Sequence, residues 1–86
     1  MKEFTYIIQD PAGIHARPAG MLIKKMQTFN SDITITKGAK TVSLKKLFAL
    51  MGLAIKQNET ITIKADGIDE DAAIDAAKQV IASEKI

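Results

Sequence analysis

The residues best suited to chemistry lie in residues 13–20, which contain the only histidine of the chain, His15, followed by Arg17 and Pro18. Proline is tolerated in the first turn of a helix, where backbone N–H groups have no partner inside the helix. The stretch therefore predicts a helix start. Its free N–H groups and the positive end of the helix dipole form an anion site, and they favour the neutral, nucleophilic imidazole.

The guanidinium of Arg17 adds a forked donor that matches phosphate oxygens. A neutral imidazole, an anion site and an arginine within three residues indicate a histidine that accepts and passes on a phosphoryl group. The alternatives are a structural histidine without chemistry and a solvated arginine. An arginine at a helix start is unfavourable for the dipole unless an anion lies nearby, which favours the phosphoryl interpretation.

Length and composition limit the classes of protein to which the chain can belong. Its 86 residues predict one domain, residues 1–86. Its apolar content of 47% and charged content of 26% are typical of globular proteins, and the absence of cysteine leaves no disulfide framework or thiolate metal site. The N-terminus lacks the apolar core of a signal peptide, and the apolar run at residues 47–55 is too short to cross a bilayer. We therefore expect a cytoplasmic protein, whose net charge of +2 modestly favours acidic partners.

Hydrophobic periodicity predicts seven elements in the order β-α-β-β-α-β-α. Alternating apolar and polar residues predict strands at residues 3–8, 33–36, 41–43 and 60–65, with a hairpin turn at residues 37–40. Four strands with one apolar face need helices packed on that face. The pattern predicts an α+β two-layer open-faced sandwich, in which three helices cover one face of a four-stranded antiparallel sheet.

Helical spacing predicts three helices between these strands. The first runs from Ala16 to the polar stretch at residues 30–32, with an apolar face that extends to Phe29. The second covers residues 44–55. The third begins after Asp69, which is expected to cap it, and is followed by acidic residues in the first turn. Its expected buried stripe consists of Ala73, Ile74, Ala77, Val80 and Ile81.

The second predicted helix carries more apolar residues than one core-facing stripe needs. Leu47, Leu50 and Leu53 supply such a stripe, so Phe48 and Met51 are expected to be partly exposed rather than plain core residues. Met21 is open to the same two interpretations. Flexible methionines suit a surface that binds several partners in turn. The lysines at positions 24, 45 and 46 form either an ordinary solvated surface or a rim that steers acidic partners.

The order of elements and the stretch Gly-Ile-His-Ala-Arg-Pro-Ala at residues 13–19 resemble the HPr family, the histidine phosphocarriers of the bacterial phosphoenolpyruvate:sugar phosphotransferase system. The resemblance covers essentially the whole chain. It implies that enzyme I phosphorylates His15 on Nδ1, and that the group passes to enzyme IIA domains of sugar permeases. Arg17 and the backbone N–H groups of Ala16 and Arg17 are the implied phosphate-binding groups, positioned by Pro18 and the turn at Gly13.

The resemblance also implies a carrier rather than a turnover enzyme by itself, with no metal or bound cofactor. We further expect a monomer that binds no nucleic acid and does not insert into a membrane. Partner docking in the family uses the exposed faces of the first two helices. On this sequence the implied docking residues are Gly20, Met21, Lys24, Lys45, Leu47, Phe48 and Met51.

One position departs from the family pattern. Gram-positive members carry a regulatory serine in the second-helix motif, phosphorylated by a dedicated kinase, and that position here is Lys46. Lysine cannot accept this phosphate, so the regulation is not transferred to this chain. Ser43 lies three residues earlier and is interpreted as a strand-end or helix-capping serine.

Three alternative functions remain open at the level of sequence. One is a paralogous phosphocarrier in a regulatory or nitrogen-related phosphorelay. Another is a small-molecule-binding regulatory domain, since small α+β domains host unrelated functions. A nucleic-acid-binding module is disfavoured because aromatic residues make up only 5% of the chain and no backbone-clamping glycine loop is present.

Overall fold

Alternating apolar and polar residues build a four-stranded sheet in the computed structural model, which describes residues 1–86. The strands are β1 (Lys2–Ile7), β2 (Asp32–Lys37), β3 (Lys40–Ser43) and β4 (Thr60–Asp66). All neighbouring strands are antiparallel, in the order β1-β4-β2-β3. The central strand β4 therefore joins the first strand of the chain to the β2–β3 hairpin.

The register of the sheet gathers apolar side chains into one row that crosses all four strands. Phe4 lies opposite Ile63, Ile63 opposite Ile35, and Ile35 opposite Val42. Because successive side chains on a strand point to opposite faces, the intervening threonines occupy the other face. One face is thus apolar and needs to be covered.

Three helices cover that apolar face: α1 (Ala16–Met26), α2 (Leu47–Gly52) and α3 (Glu70–Ser83). α1 packs against both other helices, and α3 packs against β1 and β4. The structure confirms the predicted open-faced sandwich and its order of elements. None of its helices has the length and apolar character required to span a membrane.

The first helix ends earlier than the periodicity predicts, at Met26 instead of at residues 30–32. The amides of Thr28 and Phe29 bond to the carbonyls three residues earlier, those of Lys25 and Met26, at 3.1 and 3.2 Å. The Thr28 hydroxyl also donates to the Lys25 carbonyl at 2.7 Å. These tighter turns end the α-helix, while half-buried Phe29 still packs against the core.

The second helix is also shorter than the predicted residues 44–55, and its two ends have different causes. At its N-terminal side the amide of Leu44 donates to the Ile33 carbonyl at 2.9 Å, which keeps Leu44 attached to the sheet. At its C-terminal side Ala54 adopts a left-handed backbone with φ of 50°, which a helix cannot contain. Only Leu47–Gly52 is helical.

Asp69 stands at the predicted N-cap position of α3, but its carboxylate does not cap that helix. It accepts hydrogen bonds from the amides of Asn30 and Ser31, at 2.7 and 2.9 Å, and from the Ser31 hydroxyl. Glu70 instead accepts from the Gly67 amide at 3.1 Å. The predicted capping role of Asp69 is therefore wrong, because its carboxylate fastens the end of the α1–β2 connection to the start of α3.

The stability of the fold should depend on the ionisation of Asp69. The Ser31 hydroxyl, followed by the amides of Asn30 and Ser31, lowers the pKa of the Asp69 carboxyl below its ordinary value. A lowered folded-state pKa adds stability above the ordinary aspartate pKa, and this stability is lost as the pH falls through the folded-state pKa. We expect Asp69→Asn to lower stability at neutral pH and to flatten the acid side of the stability profile.

Urea unfolding between about pH 7 and about pH 2 measures this effect. Asp32→Asn is the matched control, since the Asp32 side chain is exposed and has no hydrogen-bond or ion-pair partner. If Asp69→Asn and Asp32→Asn gave the same profile as the wild type, Asp69 would have no such role.

Candidate functional site

His15 occupies the N-cap position of α1, where the chain changes from extended to helical backbone. Its own backbone is extended, with φ of −106° and ψ of 177°, and its carbonyl accepts the first helical hydrogen bond, from Ala19 at 3.0 Å. Its side chain makes no capping hydrogen bond and is 47% exposed. The imidazole is therefore fixed at its base and open at its ring.

The first turn of α1 leaves two backbone amides without a partner. The amides of Ala16 and Arg17 precede the first helical hydrogen bond, and Pro18 has no N–H. No acidic residue lies in this turn to occupy the site. The two free amides, next to the imidazole, are suited to an anion held at the positive end of the helix dipole.

Arg17 is exposed and has no hydrogen-bond or ion-pair partner in the structure. Its guanidinium is therefore not engaged in the fold, although it is attached to the same helical turn as His15. A guanidinium offers two parallel donors to an oxyanion. The geometry can thus bring side-chain and backbone donors to an anion at the ring of His15.

The turn before His15 is held by an approach that only glycine allows. Gly13 has a left-handed backbone with φ of 69°, and its amide donates to the Asp10 carbonyl at 2.8 Å. A Cβ at this position would overlap the Ile55 carbonyl oxygen and lie 2.8 Å from the Lys56 Cα. The amide of Ile14 donates to the same Ile55 carbonyl at 3.1 Å. The turn and the loop after α2 are therefore packed backbone against backbone.

The loop after α2 is in turn fixed by two charged residues that sequence reasoning did not single out. The Lys37 ammonium donates to the carbonyls of Leu53 and Ala54, at 2.9 and 3.1 Å, and lies 3.1 Å from a Glu59 carboxylate oxygen. The Lys56 amide, followed by the Lys37 ammonium, lowers the pKa of Glu59 below its usual range. These contacts fix the loop against which the turn before His15 packs.

Asp10 is a neighbour of His15 that sequence reasoning missed. Its Oδ2 lies 3.3 Å from His15 Nε2, while its Oδ1 accepts from the Ala12 amide at 2.8 Å. In the sequence Asp10 reads only as a turn residue before Pro11. The one available signal was the tendency of an aspartate in a turn to bond the amide two residues later, which orients its carboxylate without saying towards what.

The implied docking residues on α2 differ in exposure. Phe48 is 89% exposed, as predicted from the excess of apolar residues. Leu47 and Met51 are half-buried against the core, whereas Leu50 and Leu53 are buried. Leu47 is therefore less buried than its spacing predicts, and Phe48 is the most exposed apolar side chain of this helix.

The implied docking residues on α1 point in more than one direction. Gly20 is half-buried, Lys24 is exposed, and Met21 is 50% exposed. Met21 lines a groove of about 290 Å³ between α1 and α3, next to Val80. The structure therefore places Met21 at the α1–α3 groove, while Phe48 lies on α2.

Lys45 is half-buried, and its ammonium donates to the Phe29 carbonyl at 2.7 Å. Its backbone amide bonds to the Ser43 hydroxyl at 3.2 Å, which agrees with the structural interpretation of that serine. Lys46 is exposed. Lys24 and Lys46 are thus the predicted rim lysines with unconstrained ammonium groups.

None of the surface grooves includes His15. The largest, about 380 Å³, lies between β1 and α3, and its lining residues are Phe4, Thr5, Tyr6, Lys78, Ile81 and Ala82. Small-molecule sites are concave and enclose most of their ligand. An imidazole on an open helix end instead suits reaction with a group presented by another macromolecule.

Comparison with known proteins gives consistent similarities. A family model described as the PTS HPr component phosphorylation site matches residues 2–83. The phosphocarrier protein HPr of Mycoplasma capricolum subsp. capricolum is 47% identical over 81 residues, which cover 94% of this chain and 91% of that protein.

Two solved structures show the same similarity in three dimensions. A histidine-containing phosphocarrier protein of Mycoplasma superimposes with a TM-score of 0.95 at 44% identity, covering 96% of this chain and 94% of the other. HPr of Thermoanaerobacter tengcongensis superimposes with a TM-score of 0.91 at 36% identity, covering 96% and 93%. Both the sequence and the fold are therefore shared over nearly the full length.

Proposed function

This chain belongs to the HPr family, the phosphocarriers of the bacterial phosphotransferase system, and from that premise we propose that His15 accepts the phosphoryl group on Nδ1 and passes it on. The observation that carries this proposal is the surroundings of the ring. His15 is half exposed at the start of α1, beside two unpartnered amides and an unpaired Arg17.

In the proposed reaction the residues of the site position the phosphoryl group and balance its charge. The Nδ1 lone pair attacks phosphorus in line with the departing atom of the donor, which keeps the electron pair of the broken bond. The amides of Ala16 and Arg17, with the Arg17 guanidinium, hold the phosphoryl oxygens. Pro18 and Gly13 contribute by shaping the backbone that presents His15.

The proposed partners are enzyme I as donor and enzyme IIA domains of sugar permeases as acceptors. The proposed docking surface comprises the seven residues implied by the family resemblance: Gly20, Met21, Lys24, Lys45, Leu47, Phe48 and Met51. Its support is the exposed phenyl ring of Phe48 and the exposed ammonium of Lys24. Apolar contacts with a positive rim favour docking to an acidic surface.

The proposal is tested by measuring intact mass after incubation with enzyme I and phosphoenolpyruvate. We expect a gain of one phosphoryl group that is lost on acid treatment, because phosphoramidate bonds to histidine are acid-labile. An enzyme I preparation that charges another carrier but leaves this chain unmodified would contradict transfer from that enzyme I.

A second candidate is a paralogous carrier in a regulatory or nitrogen-related phosphorelay. The observation that favours it is the exposed Lys46 at the position of the family's regulatory serine. Paired assays with the enzyme I of each branch distinguish the two candidates, since the cognate donor charges the carrier faster. Charging by the sugar-branch enzyme I alone would remove the second candidate.

Phe48→Ala should weaken partner binding without unfolding the protein. An anchoring aromatic ring at an interface contributes about 1–2 kcal/mol, so we expect a Kd for enzyme I about 5–30 times higher. The free energy of unfolding should remain within about 0.5 kcal/mol of the wild type, because the side chain is 89% exposed.

Leu50→Ala is the matched control on the same helix, because Leu50 is only 1% exposed. Its loss should cost about 2–5 kcal/mol of stability. A Phe48→Ala variant with unchanged affinity for both enzyme I and a IIA domain would exclude Phe48 as an anchor.

A further inference from the structure

The backbone and the side chain of Asp10 are each held by a hydrogen bond, and the carboxylate is directed at the ring of His15. Asp10 Oδ1 accepts a hydrogen bond from the Ala12 amide at 2.8 Å, and the Asp10 backbone amide donates to the Ile86 main-chain oxygen at 2.9 Å. Its Oδ2 lies 3.3 Å from His15 Nε2, and the side chain is 21% exposed. Asp10 is the one hydrogen-bond partner of the imidazole within the chain.

We propose that Asp10 is the positioning residue that keeps the ring proton of neutral His15 on Nε2 and thereby leaves the lone pair on Nδ1. An ionised carboxylate has no proton to donate, so it can bond Nε2 only when that nitrogen carries hydrogen. The partner of one ring nitrogen decides which nitrogen is protonated. This inference rests on the proposed role of His15.

The proton stays in place through the transfer. The Nδ1 lone pair forms the new N–P bond while the donor atom leaves with the electrons of its own bond to phosphorus. The ring, which keeps its Nε2 proton, then carries a positive charge beside the Asp10 carboxylate. When the phosphoryl group moves on, Nδ1 recovers its electron pair and His15 leaves as neutral imidazole with the same Nε2 proton.

The contact also gives Asp10 a role that other charged groups of the site do not share. Arg17 is a cation and cannot accept a ring proton. Lys56, the charged residue of the loop against which Gly13 packs, is likewise a donor. Glu59, the carboxylate of that loop, is engaged by the Lys56 amide and the Lys37 ammonium, so Asp10 is the one carboxylate that bonds the ring.

Asp10→Asn provides the decisive test because the Ala12 amide fixes how the new side chain sits. The Ala12 N–H needs an oxygen acceptor, so the asparagine Oδ1 stays there and its NH₂ group takes the place of Oδ2. That group donates to Nε2 and stabilises the opposite tautomer, with hydrogen on Nδ1. We expect the turn to be retained and the reactive lone pair to be lost from Nδ1.

Two readouts check this. Nitrogen-15 NMR of the ring at about pH 8.5, where an ordinary imidazole is neutral, should show a protonated Nε2 in the wild type and a protonated Nδ1 in Asp10→Asn. The rate of phosphorylation by phosphoramidate, and separately by enzyme I with phosphoenolpyruvate, should fall about tenfold in the variant. Asp32→Asn, which removes the same charge from an exposed side chain that makes no hydrogen bond, should match the wild type in both.

The outcomes separate this inference from the function on which it rests. A wild-type chain that is not phosphorylated by either donor contradicts the proposed function. A phosphorylated wild type whose neutral ring carries its proton on Nδ1 overturns the role of Asp10, and this measurement needs no variant. Equal tautomers and rates in the wild type and Asp10→Asn overturn it as well.

Discussion

His15→Ala is expected to abolish phosphoryl acceptance, with no gain in mass after incubation with enzyme I and phosphoenolpyruvate. The chain contains no second histidine that could accept the group in its place. The side chain makes no capping hydrogen bond and is half exposed, so its removal should leave the fold nearly unchanged. We expect the free energy of unfolding to change by less than about 1 kcal/mol.

His15→Asn supplies a second variant that favours the helix start, since asparagine is a preferred N-cap residue. It should be at least as stable as His15→Ala and equally unreactive. The two variants together separate loss of chemistry from loss of structure. A gain of one acid-labile phosphoryl group on either variant would show that another residue is the acceptor.

Gly13→Ala adds a single methyl group near the site, and we expect it to lower the stability of the fold more than any other such addition there. The added Cβ would overlap the Ile55 carbonyl oxygen, which is backbone and cannot rotate away, and the residue would retain a left-handed φ of 69°. Strain and overlap together should cost about 2–4 kcal/mol of stability. Relief of the overlap requires the turn to move, which would displace His15 and slow its phosphorylation.

Gly20→Ala is the control for this variant, because a Cβ there meets nothing within 4 Å and the residue lies inside α1. Alanine in a helix interior should raise stability by about 0.5–1 kcal/mol over glycine. Urea unfolding of both variants measures the contrast. If Gly13→Ala were as stable as the wild type, the turn would not depend on the close approach to Ile55.

Sequence alone was sufficient for the elements whose signal is local. Alternation with a period of two located the four strands, and helical spacing located the buried face of α1. Both periods can be recognised from residues that are neighbours in the sequence. The stretch around His15 also indicated a helix start with an anion site, since it depends on neighbouring residues only. The excess of apolar residues on the second helix was enough to predict the exposure of Phe48.

The ends of the helices were decided by contacts that the periodicity does not contain. Leu44 has helical spacing, but its amide is already engaged by the Ile33 carbonyl of a neighbouring strand. Asp69 has the residue type and position of a cap, but the amides of Asn30 and Ser31 compete for its carboxylate. In each case a partner distant in sequence offered a hydrogen bond that local propensity could not anticipate.

The site shows the same division. The place of His15 and Arg17 at the start of α1 could be predicted from sequence. The approach of Gly13 to Ile55 and the direction of the Asp10 carboxylate required the folded chain. The first depends on a loop 42 positions away in the numbering of the chain, and the second on a turn whose backbone is held by Ile86. Residue types and spacing determine which groups are available for chemistry, but only the packing of distant segments determines which atoms they face.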